Sequence, residues 1–95
     1  MLLGRVVGTL VASRKDEGLV GLRFLVVRQL EVDGGEKGGY VVAVDAVGAG
    51  PDEIVLFATG SSARQTEITR DRPCDAVVMA IVDTWEVGGE EVYRK

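Results

Sequence analysis

The chain contains no histidine, one cysteine and two prolines, and only 5% of its 95 residues are aromatic. Without histidine it lacks the usual general base of enzymes and the commonest zinc ligand. Cys74 has no second cysteine with which to form a disulfide within the subunit. The few aromatic rings offer little surface on which nucleic-acid bases could stack. We therefore expect no metal and no other cofactor.

The charge balance also excludes several partners. Asp and Glu outnumber Lys and Arg by 15 to 11, which gives a net charge of −4, whereas nucleic-acid binding depends on clustered basic side chains. No stretch approaches the roughly 18 consecutive apolar residues that span a membrane, and the first residues do not resemble a secretion signal. We expect neither nucleic acid nor membrane as a partner, and a cytoplasmic location.

The length of the chain predicts a single domain over residues 1–95 whose own core is marginal. A fold of this size buries only roughly 60 to 65% of the surface of its extended chain. Small domains compensate with disulfides, metals or self-association, and the first two are not expected here. We therefore expect that self-association supplies the missing stability.

Alternating and continuous apolar segments, separated by glycine-rich turns, predict an all-β fold. The predicted strands are residues 2–13, 22–32, 40–46, 53–59 and 75–87, with a short closing strand at 91–94. Residues 61–69 are the one helical turn that the pattern predicts. Several short strands and one short helix favour a small β-barrel.

Two predicted strands carry large apolar side chains on both of their faces. In the first strand Val6 and Leu10 alternate with Val7 and Val11, and residues 77–82 show the same doubling. A barrel has only one interior, so a soluble monomer would expose the second stripe to water. We assign the surplus stripe, including Val7 and Val11, to a subunit interface.

A second interface element is predicted where small and hydroxyl residues precede an arginine. The small residues allow close backbone approach, and the guanidinium can bind a carboxylate or carbonyl of a neighbouring subunit. The residues of this element are Gly60, Ser61, Ser62 and Arg64.

No catalytic residue is predicted. Asp45, Asp52 and Glu53 flank a glycine turn and could be imagined as an acid–base pair or a metal site. The simpler interpretation is that Asp45 ends a strand, while Asp52 and Glu53 are turn residues that face water. Cys74 lies in a loop that enters a strand, where a buried structural thiol is commoner than a reactive one. The glycines near residues 48 and 60 lack the spacing of a phosphate-binding loop.

Three segments make the chain resemble one family. They are residues 45–64 (DAVGAGPDEIVLFATGSSAR), 4–14 (GRVVGTLVASR) and 79–83 (MAIVD). Together they resemble the EutN/CcmL family, the pentameric vertex proteins of bacterial microcompartment shells. The resemblance implies a five-stranded OB-like barrel and a cyclic homopentamer without enzyme activity, located in the microcompartment shell.

The resemblance also implies that hexameric and trimeric shell proteins are partners. A flat sheet of sixfold tiles needs fivefold points in order to close. The charged loop after the first strand borders the neighbouring tiles in that family. The residues expected to contact tiles are Arg14, Lys15, Asp16 and Arg70.

Two other functions remain open at this stage. One is a monomeric OB-type binding module for an oligosaccharide or another small ligand, which would require exposed aromatic side chains. The other is an enzyme or redox protein that uses Cys74.

Overall fold

The computed structural model describes all residues, 1–95, and consists mainly of strands. A one-turn 3-10 helix, Glu17–Leu19, follows the first strand, and a second one, Gly60–Arg64, follows the fourth. The strands are β1 (Leu2–Leu10), β2 (Phe24–Leu30), β3 (Glu36–Asp45), β4 (Ile54–Thr59), β5 (Ala76–Ile81), β6 (Thr84–Val87) and β7 (Glu90–Arg94).

The first five strands form a closed barrel in the order β1-β2-β3-β5-β4. All neighbouring strands are antiparallel except β3 and β5, which are parallel and pair only at Val44–Val77 and Asp45–Val78. The prediction of a small five-stranded β-barrel is confirmed.

The barrel interior is filled by aliphatic side chains around one ring, that of Phe57. Leu25, Val27, Val55 and Phe57 are fully buried there and belong to one packed cluster. Gly4 belongs to the same interior because a Cβ at this position would overlap the side chain of Val27. Glycine is therefore required where β1 crosses the core.

A second, smaller apolar cluster lies outside the barrel, beneath the Gly60–Arg64 helix. It contains Val44, Ala58, Ala63 and Val77, all buried. Val77 and its neighbour Val78 are both inaccessible to solvent, one in each cluster. The assignment of the surplus apolar stripe of β5 to a subunit interface is therefore wrong at Val77, because the chain covers this residue itself.

β-Bulges change the direction of two strands. The pairing of β1 with β2 shifts register between Val6 and Gly8, and the pairing of β5 with β4 shifts between Val78 and Ala80. Val7 and Met79 are the extra residues, and both side chains are exposed. A bulge commonly re-aims a side chain in this way.

The predicted last strand, residues 75–87, is two strands in the structure. β5 ends at Ile81, and the amide of Val82 bonds to the carbonyl of Ile54. After this break, β6 and β7 form a separate two-stranded sheet, which we call the C-terminal hairpin. The closing strand predicted at 91–94 therefore pairs with β6 and not with the barrel.

Other strand and helix boundaries differ from the predicted ones because pairing between strands overrides the local composition of the sequence. β1 ends at Leu10 and not at residue 13. β3 begins at Glu36 because the glycine-rich segment, predicted as a connection, still pairs with Leu30 through a bulge. The predicted helical turn at 61–69 is the shorter Gly60–Arg64 helix.

Candidate subunit and shell-contact surfaces

The barrel leaves many large apolar side chains uncovered. Val7 and Val11 of the predicted interface are among them, and Val11 is 90% exposed. Five further exposed apolar residues stand on barrel strands: Leu2, Leu10, Tyr40, Val42 and Met79.

The bulges of β1 and β5 change which face Leu10 and Met79 occupy, and simple alternation along the sequence does not show this. Tyr40 pairs with Arg28 on the outer face of the barrel, where the Arg28 guanidinium lies 4.7 Å from the centre of its ring. Tyr40 therefore lies outside the core.

Two grooves flank Phe24 on the outer surface. The larger, of about 420 Å³, includes Val11 and Lys15 in its wall. The smaller, of about 230 Å³, includes Val42 and Cys74. The larger groove thus brings together Val11, predicted for the subunit interface, and Lys15, predicted for tile contacts, so these two predicted surfaces adjoin.

The Gly60–Arg64 helix is fixed by contacts within its own subunit. Gly60 adopts a left-handed backbone with φ of 69°, which glycine tolerates, and its amide donates to the carbonyl of Asp75. The Ser62 hydroxyl donates to the carbonyl of Thr59, and no side chain caps the N-terminal amides of the helix.

The exposed residues of this helix are Gly60, Ser61, Ser62 and Arg64, which leaves the predicted interface element uncovered. Arg64 donates one hydrogen bond of 3.1 Å to the carbonyl of Cys74. Four further N–H donors of this guanidinium remain for other acceptors.

Cys74 lies beneath this arginine in the wall of the smaller groove. Burial raises the pKa of its thiol above the ordinary value, although the Arg64 charge acts in the opposite direction. A raised pKa lowers the thiolate fraction at neutral pH, and the thiolate is the reactive form. The site therefore does not activate this cysteine.

The residues predicted to contact shell tiles lie on two loops, residues 11–23 and 65–75. Arg14, Lys15, Asp16 and Arg70 are all exposed. Arg72 joins the loops: its Nε donates to the carbonyl of Gly18 and its other end to that of Val20. Lys15 and Asp16 also form hydrogen bonds within their own loop. Lys15 donates to the carbonyl of Ala12, and Asp16 accepts from the amide of Gly18.

The comparison with known families agrees with this architecture. Residues 1–83, which include the whole barrel, match the family model described as "Ethanolamine utilisation protein EutN/carboxysome". The chain belongs to the EutN/CcmL family. The C-terminal hairpin lies beyond the matched residues.

Individual EutN/CcmL relatives match the entire chain. The carboxysome shell vertex protein CcmL of Gloeobacter violaceus is 46% identical over 95 residues, covering 100% of this chain and 95% of the relative. The shell vertex protein EutN of Salmonella typhimurium is 38% identical, covering 100% and 96%.

Solved structures of this family are similar to the structure of this chain. The Gloeobacter violaceus CcmL structure superposes with a TM-score of 0.96 at 46% identity, covering 100% of this chain and 98% of the other. The pentameric shell protein GrpN of Rhodospirillum rubrum gives 0.84 at 46% identity, covering 92% and 99%. These relatives have a structural role, and the chain is a structural protein and not an enzyme.

The carboxylates of Asp45 and Glu53, considered above as an acid–base pair or a metal site, bind backbone amides and shape the loop between β3 and β4. Asp45 ends β3, and one of its oxygens accepts hydrogen bonds from the amides of Val47, Gly48 and Ala49. Its other oxygen pairs with Arg23 at 2.6 Å. Glu53 accepts from the amide of Gly50.

The C-terminal hairpin is anchored to the rest of the chain through both of its strands. Trp85 stacks on Tyr93 with ring centres 5.2 Å apart and donates its indole N–H to the carbonyl of Val32. Trp85 therefore belongs to the C-terminal hairpin and not to the barrel core. Directly after the second strand, β7, the Lys95 ammonium forms an ion pair and a hydrogen bond with Glu53. This hydrogen bond lowers the pKa of Glu53, assisted by the Gly50 amide, and raises that of Lys95.

The aromatic residues give no support to the alternative of a ligand-binding module. Phe57 is in the core, and Trp85 and Tyr93 stack on each other. Tyr40 alone is strongly exposed, and Arg28 packs on its ring. No group of three or more potential metal ligands is present, and none of the helices is long and apolar enough to span a membrane.

Proposed function

We propose that this chain forms a cyclic homopentamer that closes the vertices of a bacterial microcompartment shell in the cytoplasm. Family membership supports the proposal, because the CcmL and EutN relatives are shell vertex proteins. The full-length match matters as well, since the relatives contain almost no additional sequence that this chain lacks.

The observation that carries the proposal is the uncovered apolar surface on the barrel strands. Val7, Leu10, Tyr40, Val42 and Met79 are exposed although the barrel core is complete without them. Covering several hundred Å² of such surface per neighbour contributes on the order of 10 kcal/mol before the costs of association. Association with identical copies removes this surface from water.

Within the ring, we assign the subunit interface to Val7 and Val11 of the first strand region and to the exposed residues Gly60, Ser61, Ser62 and Arg64. Val11 presents apolar surface at the mouth of the larger groove. Arg64 contributes the remaining donors of a guanidinium that its own subunit holds in place through one hydrogen bond.

The loops joined by Arg72 are the proposed contacts with hexameric and trimeric shell proteins. Arg14, Lys15, Asp16 and Arg70 are exposed there, and none of them forms an ion pair within the subunit. Exposed charges of this kind fix orientation and register at an interface more than they add affinity. They would therefore orient the vertex relative to its neighbours.

Native mass spectrometry of the purified chain tests the ring. One subunit has a mass of 10.1 kDa, so a pentamer is expected at about 50 kDa, five times that value. A stable monomer at micromolar concentration would refute the proposal.

Two arginine variants separate the two proposed surfaces. Arg64→Ala should shift the ring toward smaller species on dilution, because it removes an interface donor. Arg14→Ala is the matched control: it removes an equally charged, exposed arginine and should leave the mass unchanged. If both variants retain the ring equally well, Arg64 does not anchor the interface.

A further inference from the structure

The barrel leaves two short strand edges unpaired. β1 pairs with β4 only over Leu2–Arg5, and the 50–53 turn bonds to Val6, so residues 7–10 have a neighbouring strand on the β2 side alone. β3 pairs with β5 only at Val44 and Asp45, so residues 40–43 also have a neighbour on one side. We call these stretches the β1 edge and the β3 edge.

Neither edge carries a charged side chain or a proline, and neither is bulged along most of its length, although these are the features with which proteins prevent strand pairing. The β1 edge reads Val-Gly-Thr-Leu and the β3 edge reads Tyr-Val-Val-Ala, without charge or proline. The bulge of the β1 edge occupies only its first residue, and residues 8–10 pair regularly with β2.

Other free edges of the same molecule do carry these features. The beginning of β3, residues 36–39, contains Glu36 and Lys37 and is interrupted by a bulge. The C-terminal hairpin places Glu86, Glu90 and Glu91 along its two short strands. The absence of protection is thus specific to the β1 edge and the β3 edge.

Each edge carries two large apolar side chains that are exposed. They are Val7 and Leu10 on the β1 edge and Tyr40 and Val42 on the β3 edge. In the barrel order, β2 separates β1 from β3, and each edge faces away from β2. The chain therefore has two different surfaces on two different sides, as a head-to-tail ring requires.

We propose that the β1 edge of one subunit pairs with the β3 edge of the next copy, so that main-chain hydrogen bonds join the barrels of the ring into one continuous sheet. The inference rests on the proposed ring and adds to it the element that holds neighbours together. Strand addition of this kind supplies affinity through backbone bonds, while the exposed side chains supply specificity.

Residue-resolved amide hydrogen exchange on the wild-type protein tests the pairing without a mutation. In the assembled ring, the outward-directed amides of both edges should exchange at least tenfold more slowly than in the dissociated subunit. The outer amides of the C-terminal hairpin are the internal reference, because no partner strand is proposed for them, and their rates should not change.

A substitution at the β3 edge gives an independent test. Val42→Lys places a charge beside the unpaired backbone and should lower the ring's stability to dilution at least tenfold while the circular dichroism of the barrel is retained. Val87→Lys is the matched control: Val87 is 50% exposed and Val42 47%, but Val87 lies on the C-terminal hairpin.

The outcomes distinguish this inference from the proposed function. A wild-type pentamer whose edge amides exchange freely, or one that tolerates Val42→Lys as well as Val87→Lys, overturns the strand pairing and leaves the vertex role intact. A wild-type monomer overturns both. Protected edges together with dissociation by Val42→Lys alone support the pairing.

Discussion

Replacing Asp45 by alanine should destabilise the subunit more than any other single carboxylate substitution. The side chain of Asp45 is 2% exposed and accepts three backbone hydrogen bonds in addition to its ion pair with Arg23. After Asp45→Ala, water can reach the exposed amides of Val47 and Gly48 and the half-exposed guanidinium. The amide of the fully buried Ala49 cannot be rescued in this way.

The expected loss is about 3 kcal/mol. One buried, unsatisfied amide costs roughly 1 to 3 kcal/mol, and the partly hydrated bonds to a charged acceptor add about 1 kcal/mol. Asp45→Asn keeps one oxygen for the three amides but places an NH2 donor against the Arg23 guanidinium, so it loses the ion pair with its hydrogen bond, and a smaller loss of about 1 to 2 kcal/mol is expected.

The assay is urea unfolding at a fixed protomer concentration, because association contributes to the apparent stability. Asp33→Ala is the matched control, since the Asp33 carboxylate is exposed and accepts one amide bond, from Gly35. It should cost less than about 1 kcal/mol. If Asp45→Ala is no more destabilising than Asp33→Ala, the loop does not depend on this carboxylate and the reasoning is refuted.

Three further predictions follow from the contacts described above. Gly4→Ala should cost about 1 to 3 kcal/mol in urea unfolding, because its methyl group must displace Val27, and an unchanged midpoint would contradict this. Arg72→Ala should make the 11–23 and 65–75 loops cleavable by trypsin at low enzyme concentration, since their shared hydrogen bonds are lost; digestion at the wild-type rate would show that other contacts hold them. The contact between Lys95 and Glu53, which anchors the C-terminal hairpin, should depend on pH. It is complete above the ordinary Glu53 value of 4.5 and is lost as the pH falls through the lowered pKa of Glu53. It is lost again as the pH rises above 10.5 through the raised pKa of Lys95. The fluorescence of the only tryptophan should follow both steps, and Glu53→Gln should abolish the acidic one.

The barrel could be predicted from the sequence because its signals are local. The nearly continuous apolar run at residues 53–59 indicated a strand buried on both faces, and β4 is such a strand: Phe57 faces the core and Ala58 faces the outer cluster. Glycine-rich turns separated the predicted strands from one another, whereas the number of five barrel strands was implied by the family resemblance. The family resemblance rested on the same segments.

Properties that depend on which strands meet could not be predicted. An apolar pattern on both faces of β5 indicates two covered faces but not what covers them, and at Val77 the cover is the chain's own Gly60–Arg64 helix. Likewise, no glycine, proline or other clear turn signal around Val82 indicated that the barrel ends there and that Trp85 belongs to the C-terminal hairpin. The bulge of β5 moved Met79 to the outer surface, which the alternation of the sequence does not show either.

The parallel pairing of β3 with β5 has a consequence for the order of events during synthesis. β5 is the last barrel strand to leave the ribosome, yet it is the strand that connects β3 with β4. The first four strands can form only an open sheet with β3 and β4 at its two ends. The nascent chain therefore cannot close its barrel until Ile81 has emerged, and every subunit passes through a stage in which aliphatic side chains of the future interior face the cytosol or a chaperone.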